Sequence, residues 1–278
     1  MSESTPSVPD AVRASLQNSG FPFQTAVTHA VAAKAREGWA VYASEFPWQS
    51  LDGETRFLDL VAALNASFYL AIECKRTRKE IFTFLRPVGL SDTGPVERFR
   101  CLHAEQVQDS TKRLEVFCEE WALHPRSTES EFCVVSTSDS GKDQRLLERD
   151  AGLLVNAADA LADTLRGRFV PDMDAPAIVS QLVLPVIVTN APLYSARYRP
   201  TDISLESGQF TEVPREIEGV PCVRFRKSFP SESRLDLGDR SVFVVNAASF
   251  PEFLNLLNGA PRQPQERNRT HFQRGPRP

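Results

Sequence analysis

Long hydrophobic runs are missing from this chain. Nowhere in its 278 residues do apolar residues approach the roughly 18–20 in succession that cross a bilayer, so no membrane-spanning helix is expected. Cysteine is scarce as well. Cys74, Cys101, Cys118, Cys133 and Cys222 are odd in number, scattered, and never spaced as metal-ligand pairs. That excludes a disulfide scaffold and a zinc finger, and is consistent with reduced thiols in a cytoplasm. No glycine-rich phosphate loop, internal repeat or helix-turn-helix is visible. Met1–Asp10 is polar and acidic, without the apolar centre of a signal peptide, so a cytoplasmic location is expected. An excess of positive charge is absent too. The net charge of −4 argues against wholesale coating by nucleic acid, but leaves room for a local basic patch that sets a phosphate field.

With 41% hydrophobic and 24% charged residues, the chain can bury a sizeable core. Three regions are expected. Residues 1–18 read as a flexible lead, with room for a short helix from Asp10. Residues 19–258 read as the folded domain. Residues 259–278 are rich in Pro, Gln and Arg and read as a disordered basic tail, able to add nonspecific affinity for DNA.

Two apolar runs are broken by charge. Phe57-Leu58-Asp59-Leu60-Val61-Ala62 carries an acid, and Leu70-Ala71-Ile72-Glu73-Cys74-Lys75 carries an acid and a base. Such runs suit strands buried on both faces, where a charge needs a reason. They read as a hairpin over residues 55–62 and 67–75 with Asn65 near the turn. Side chains alternate along a strand, so Glu73 and Lys75 share a face. Pairing of Asp59 with Ala71 would set Asp59 diagonal to Glu73, roughly 7–8 Å away between backbones. A slip of one residue would separate them, so the connection must have odd length or carry a bulge.

These residue types suit metal-dependent phosphodiester cleavage. The reaction needs a divalent cation, an activated water and charge neutralisation on the phosphate. Mg²⁺ takes oxygen ligands and commonly only one or two protein carboxylates. Asp59 and Glu73 can be those ligands, while Lys75 orients or deprotonates water or offsets charge on the phosphate. The alternative is a solvated sheet face on which Glu73 and Lys75 simply pair. Next to the site, Lys75-Arg76-Thr77-Arg78-Lys79 forms a basic run, with Arg76, Arg78 and Lys79 as candidate phosphate contacts.

The order of these elements resembles the PD-(D/E)xK nuclease superfamily: a helix, a strand with Asp, a strand with Glu-x-Lys, then a helix and another strand. Thirteen residues lie between Asp59 and Glu73. Upstream, Gly20-Phe21-Pro22-Phe23-Gln24 opens a helix that stops at Gly38. The resemblance covers residues 19–79 well and the rest to about residue 257 loosely. It implies a restriction-endonuclease-like fold, an α/β/α three-layer sandwich around a mixed central sheet. It also implies a Mg²⁺-dependent nuclease, with Mn²⁺ as substitute, that acts on DNA in bacterial defence or DNA processing. Asp59 and Glu73 would be metal ligands and Lys75 the catalytic lysine. A homodimer would suit cutting of both strands. Two positions depart from the family pattern. Leu58 stands where a proline is usual, and Gln24 stands where many members place a glutamate. An amide there can hold a metal-bound water but brings no charge, which favours a second reading: a nuclease-fold module that binds nucleic acid or protein through a weakened site. Glu37 and Glu45 are spare acids outside the glutamate's expected position.

Elsewhere, residues 39–46 and 80–85 read as strands, and 101–121 as helical in part. Residues 132–136 read as a strand and 143–168 as the longest helix, on which Asn156 is a polar position to watch. The run 182–189 reads as a strand buried on both faces, with Pro185 suggesting an edge or a bulge. Residues 193–205, 220–229 and 241–246 are further strand candidates, and 250–257 a last helix. His103 and His124 are assigned no role.

Overall fold

A computed structural model describes residues 8–50, 52–66, 68–88, 96–106, 112–122, 128–136, 146–168, 179–227 and 240–258. Four α-helices and thirteen strands are described, in mixed α/β order. Helix α1 (Val8–Asn18) and helix α2 (Phe21–Ala32) are followed by β1 (Trp39–Gln49), β2 (Thr55–Leu64), β3 (Phe68–Lys75) and β4 (Ile81–Pro87). Next come β5 (Val96–Gln106), β6 (Lys112–Ala122), β7 (Thr128–Ser130), β8 (Phe132–Ser136) and helix α3 (Leu146–Arg168). The chain continues through β9 (Val179–Thr189), β10 (Leu193–Tyr198), β11 (Glu216–Gly219), β12 (Cys222–Lys227) and β13 (Arg240–Asn246), and ends in helix α4 (Phe250–Asn258). No helix among the described residues is long and apolar enough to cross a membrane.

Two mixed sheets replace the single central sheet expected from the sequence. The larger follows the order β1-β2-β3-β9-β13-β12-β7, with β5 also pairing β9 and β6 pairing β5. The smaller follows β11-β10-β4-β8. On one face of the large sheet, Val27 and Val31 of α2 and Phe250, Phe253 and Leu254 of α4 pack with Leu60, Leu70, Ile72 and Val186. On the other face, Leu147, Leu154, Ala158, Leu161 and Leu165 of α3 pack with Val61, Ala71 and Ile187. Phe82 and Phe84 of the small sheet join this second core. The helical spacing of those α3 residues explains their common burial.

Three expectations are corrected here. Residues 96–106 and 112–122 are strands rather than helix: β5 and β6 pair antiparallel along their full lengths. These segments mix β-branched and aromatic residues with charges at no sustained 3.6-residue period, and cross-strand pairing decides their form. Pro185 lies in a central strand, not at an edge. It pairs with Ala71 of β3 on one flank. On the other flank the neighbour changes from β5, which ends its pairing at Val183, to β13, which begins at Val186. Proline therefore sits where one flanking ladder is interrupted. Finally, helix α2 stops at Ala32, short of the expected stop at Gly38, while α1 over Val8–Asn18 covers the short helix expected from Asp10. Residues 1–7, His124 and the tail at 259–278 lie outside the described residues.

A 3₁₀ turn over Ala35–Glu37 follows α2, and Gly38 closes it with φ +93°, a conformation that favours glycine. Any Cβ there would also collide with the side chain of Asn65. Asn65 and Ala66 turn the β2–β3 hairpin with positive φ, and the Asn65 N–H donates to the Gly38 carbonyl at 3.1 Å. The hairpin that carries the charged residues is thus keyed to the turn that follows α2.

Candidate functional site

Register brings Asp59 and Glu73 to the same level. Leu60 pairs with Ile72, Val61 with Ala71, and Leu64 with Phe68, across a three-residue turn. Ala71 therefore faces Val61 rather than the expected Asp59. The ladder ends at Leu60–Ile72, so Asp59 and Glu73 are the next residues along the two strands. The odd turn length keeps the parity that the shared face requires.

The pleat is interrupted at this level. Ladder pairing of β1 with β2 includes Ser44–Leu60 and Phe46–Leu58 but passes over Glu45 and Asp59. Glu45 has φ +51°, rare for a residue with a side chain. Ala43 and Phe46, three residues apart, reach the same core, as do Leu58 and Val61 on the partner strand. Regular alternation would put each pair on opposite faces.

Helices close on the hairpin from both faces. From α2, the Gln24 side-chain amide donates to Glu45 Oε1 at 2.5 Å and to the Asp59 backbone carbonyl at 2.8 Å. Gln24 thus lies against Asp59 and Glu45 rather than reaching Glu73 itself. From α3, Asp150 forms an ion pair with Lys75 Nζ and lies 3.6 Å from Arg149 Nε. Asp59 Oδ2 accepts the backbone N–H of Cys74 at 2.6 Å. No hydrogen bond or ion pair to the Glu73 carboxylate occurs among the described residues.

Electrostatics follow from this crowding of acids. Burial, and then the charges of Asp59, Asp150 and Glu45, push Glu73 up to about 8, with Lys75 opposing the shift. Burial also raises Asp59, against the Cys74 N–H that favours its ionised form. The Cys74 thiol is pushed far up by burial and by Asp59, so it is inert packing rather than a nucleophile. Burial and the neighbouring acids thus favour the protonated form of Glu73. A bound divalent cation would favour the ionised carboxylates.

Among the described residues, no set of three or more His, Cys, Asp or Glu side chains converges as a metal-binding group. Asp59 and Glu73 supply two carboxylates, a number of protein ligands that Mg²⁺ commonly accepts while keeping its waters.

The basic run is held in place by its neighbours. Asn190, just beyond β9, accepts the Thr77 N–H at 2.6 Å and donates to the Thr77 carbonyl at 2.9 Å. Glu80 accepts the N–H groups of Arg78 and Lys79. Arg76 donates to the Ser19 carbonyl at 2.9 Å and Arg78 to Asn18 Oδ1 at 2.8 Å, so both guanidinium groups reach the α1–α2 junction. The Lys79 side chain is exposed. Glu45, Asp150 and Asn190 had no role assigned from sequence. Each is an ordinary polar residue in its own segment, and only the fold carries it to β3. Glu37, the other spare acid, pairs with Lys34 away from the site.

Comparison with protein-family models, curated proteins and solved structures yields no significant match to this chain.

Proposed function

We propose that this protein is a Mg²⁺-dependent nuclease that hydrolyses DNA phosphodiester bonds on a restriction-endonuclease-like α/β/α scaffold. One observation supports this reading above the others. A half-buried carboxylate, Glu73, lies unpartnered beside Asp59 among the described residues, with Lys75 on the same strand and only that lysine offsetting several acids. Such a site gains by taking up a cation. When bound, Mg²⁺ would supply Lewis-acid activation of water and of the phosphate. Asp59 and Glu73 would hold it. Asp59 is oriented for this by the Cys74 N–H, and Glu73 would give up its proton on binding. Lys75, steadied by Asp150, would place positive charge against the phosphate and orient the attacking water. Lys79 and the loop that carries Arg76 and Arg78 would meet the neighbouring phosphates.

A second reading, a nucleic-acid- or protein-binding module with an inactive site, is favoured by Lys75 being engaged with Asp150 and by the neutral amide at Gln24. One experiment separates the two. Purified protein is incubated with plasmid, single-stranded DNA and RNA, each with Mg²⁺, Mn²⁺ or EDTA, beside the Asp59→Asn variant. Cleavage that needs the metal and Asp59 supports the nuclease. Binding without cleavage of any substrate supports the module.

A further inference from the structure

We propose that Glu45 is the third acid of this site, a positioning residue that adds negative charge at the cation position, and that Gln24 holds it there. The inference rests on the reading of Asp59 and Glu73 as cation ligands. Its own support is the junction of α2, β1 and β2. Ladder pairing skips Glu45 and Asp59, which leaves the Asp59 carbonyl in need of a donor. Gln24 supplies it, at 2.8 Å, with one end of an amide whose nitrogen also donates to Glu45 Oε1 at 2.5 Å. A glutamine amide nitrogen carries two donor hydrogens, and both are used here. Gln24 is therefore matched to an acid at Glu45, and a carboxylate at position 24 would serve neither bond.

The left-handed turn of Glu45 brings its carboxylate within electrostatic reach of Asp59 and Glu73. Its second oxygen, Oε2, accepts no hydrogen bond among the described residues. The side chain is exposed, so a cation-bound water can reach that oxygen. Backbone conformations of this kind recur where a side chain must be aimed against the run of its strand.

The test uses the full chain and Mn²⁺ alone, read by calorimetry, with thermal unfolding in parallel. Glu45→Gln keeps an acceptor for Gln24 and removes only the charge. It should unfold near the wild-type temperature yet bind Mn²⁺ about 10-fold more weakly. Gln24→Glu sets two acids against each other and leaves the Asp59 carbonyl unpaired. It should unfold at a lower temperature. Adding Glu45→Gln to Gln24→Glu should recover part of that loss, because a donor again faces an acid. Wild-type Mn²⁺ affinity retained in Glu45→Gln would overturn the role of Glu45 while leaving the cation site standing. A wild-type protein that binds no Mn²⁺ would remove the cation reading and this inference together. No recovery in the double variant would overturn the pairing of Gln24 with Glu45.

Discussion

The carboxylate of Asp59 accepts the backbone N–H of Cys74 at 2.6 Å, across the two strands that carry the charged residues. One oxygen of Asp59 is thereby committed to holding the hairpin in register beside Glu73, and the other remains available. Structure and chemistry converge on one side chain, so its substitutions must be chosen to separate them.

Asp59→Ala removes the acceptor and strands a part-buried N–H, which should cost about 1–3 kcal/mol of stability. Asp59→Asn keeps a carbonyl oxygen for Cys74 and loses only the charge. Chemical denaturation should place Asp59→Asn closer to wild type than Asp59→Ala, while cleavage assays should find both inactive. An Asp59→Asn protein that cuts at the wild-type rate would remove Asp59 from the mechanism.

Glu73 makes stability depend on pH with a defined sign. Its folded value, about 8, lies above the ordinary carboxylate value of 4.5. Between those two values the folded state binds more protons than the unfolded chain. Stability from this group is therefore greatest at low pH and falls as pH rises through the window, by at most about 1.4 kcal/mol per unit. Above pH 8 the effect levels off. Urea unfolding at pH 5.5 and pH 8 should show a smaller decline in Glu73→Gln than in wild type. Equal declines would mean that Glu73 does not hold its proton.

Cation binding should be coupled to the same proton. Mn²⁺ titrated near pH 7 should release protons, so the measured heat should vary with the ionisation enthalpy of the buffer. Apparent affinity should rise by up to about 10-fold per pH unit and level off above pH 8. The buffer dependence should vanish in Glu73→Gln. Heat that is independent of buffer in wild type would contradict a protonated Glu73 as ligand.

Lys75→Ala should lower the cleavage rate by roughly 10²–10³, the cost of losing one preorganised charge-stabilising group. Asp150→Asn should keep Lys75 present but free it from its ion pair. If Asp150 steadies Lys75, this variant should lose part of the rate while its Mn²⁺ affinity does not weaken. Single-turnover cleavage combined with calorimetry checks both effects.

A buried ion pair away from the site supplies a stability control. Arg240 on β13 and Asp159 on α3 lie 3.0 Å apart at their closest, exposed by only 1% and 7%. Asp159→Ala would leave Arg240 buried without this acid, which should cost about 3–5 kcal/mol. Denaturant unfolding should detect a loss of this size.

Much of the local structure was legible in the sequence because it follows from short-range rules. The hairpin over residues 55–75, the turn at Asn65, and helix α3 with its buried Leu154, Ala158 and Leu161 all rest on periodicity or turn chemistry. Asp59 and Glu73 stood out because charge inside an apolar strand is costly, and that cost is written in the residues themselves. Tertiary structure decided the rest. Cross-strand pairing made strands of residues 96–106 and 112–122, and a change of neighbour at Pro185 let a proline sit in a central strand. Asp150, 75 residues from Lys75, and Glu45, turned by its own positive φ, come to the site only when helix and strand pack together. Their positions depend on register and packing between distant segments, which no local pattern encodes.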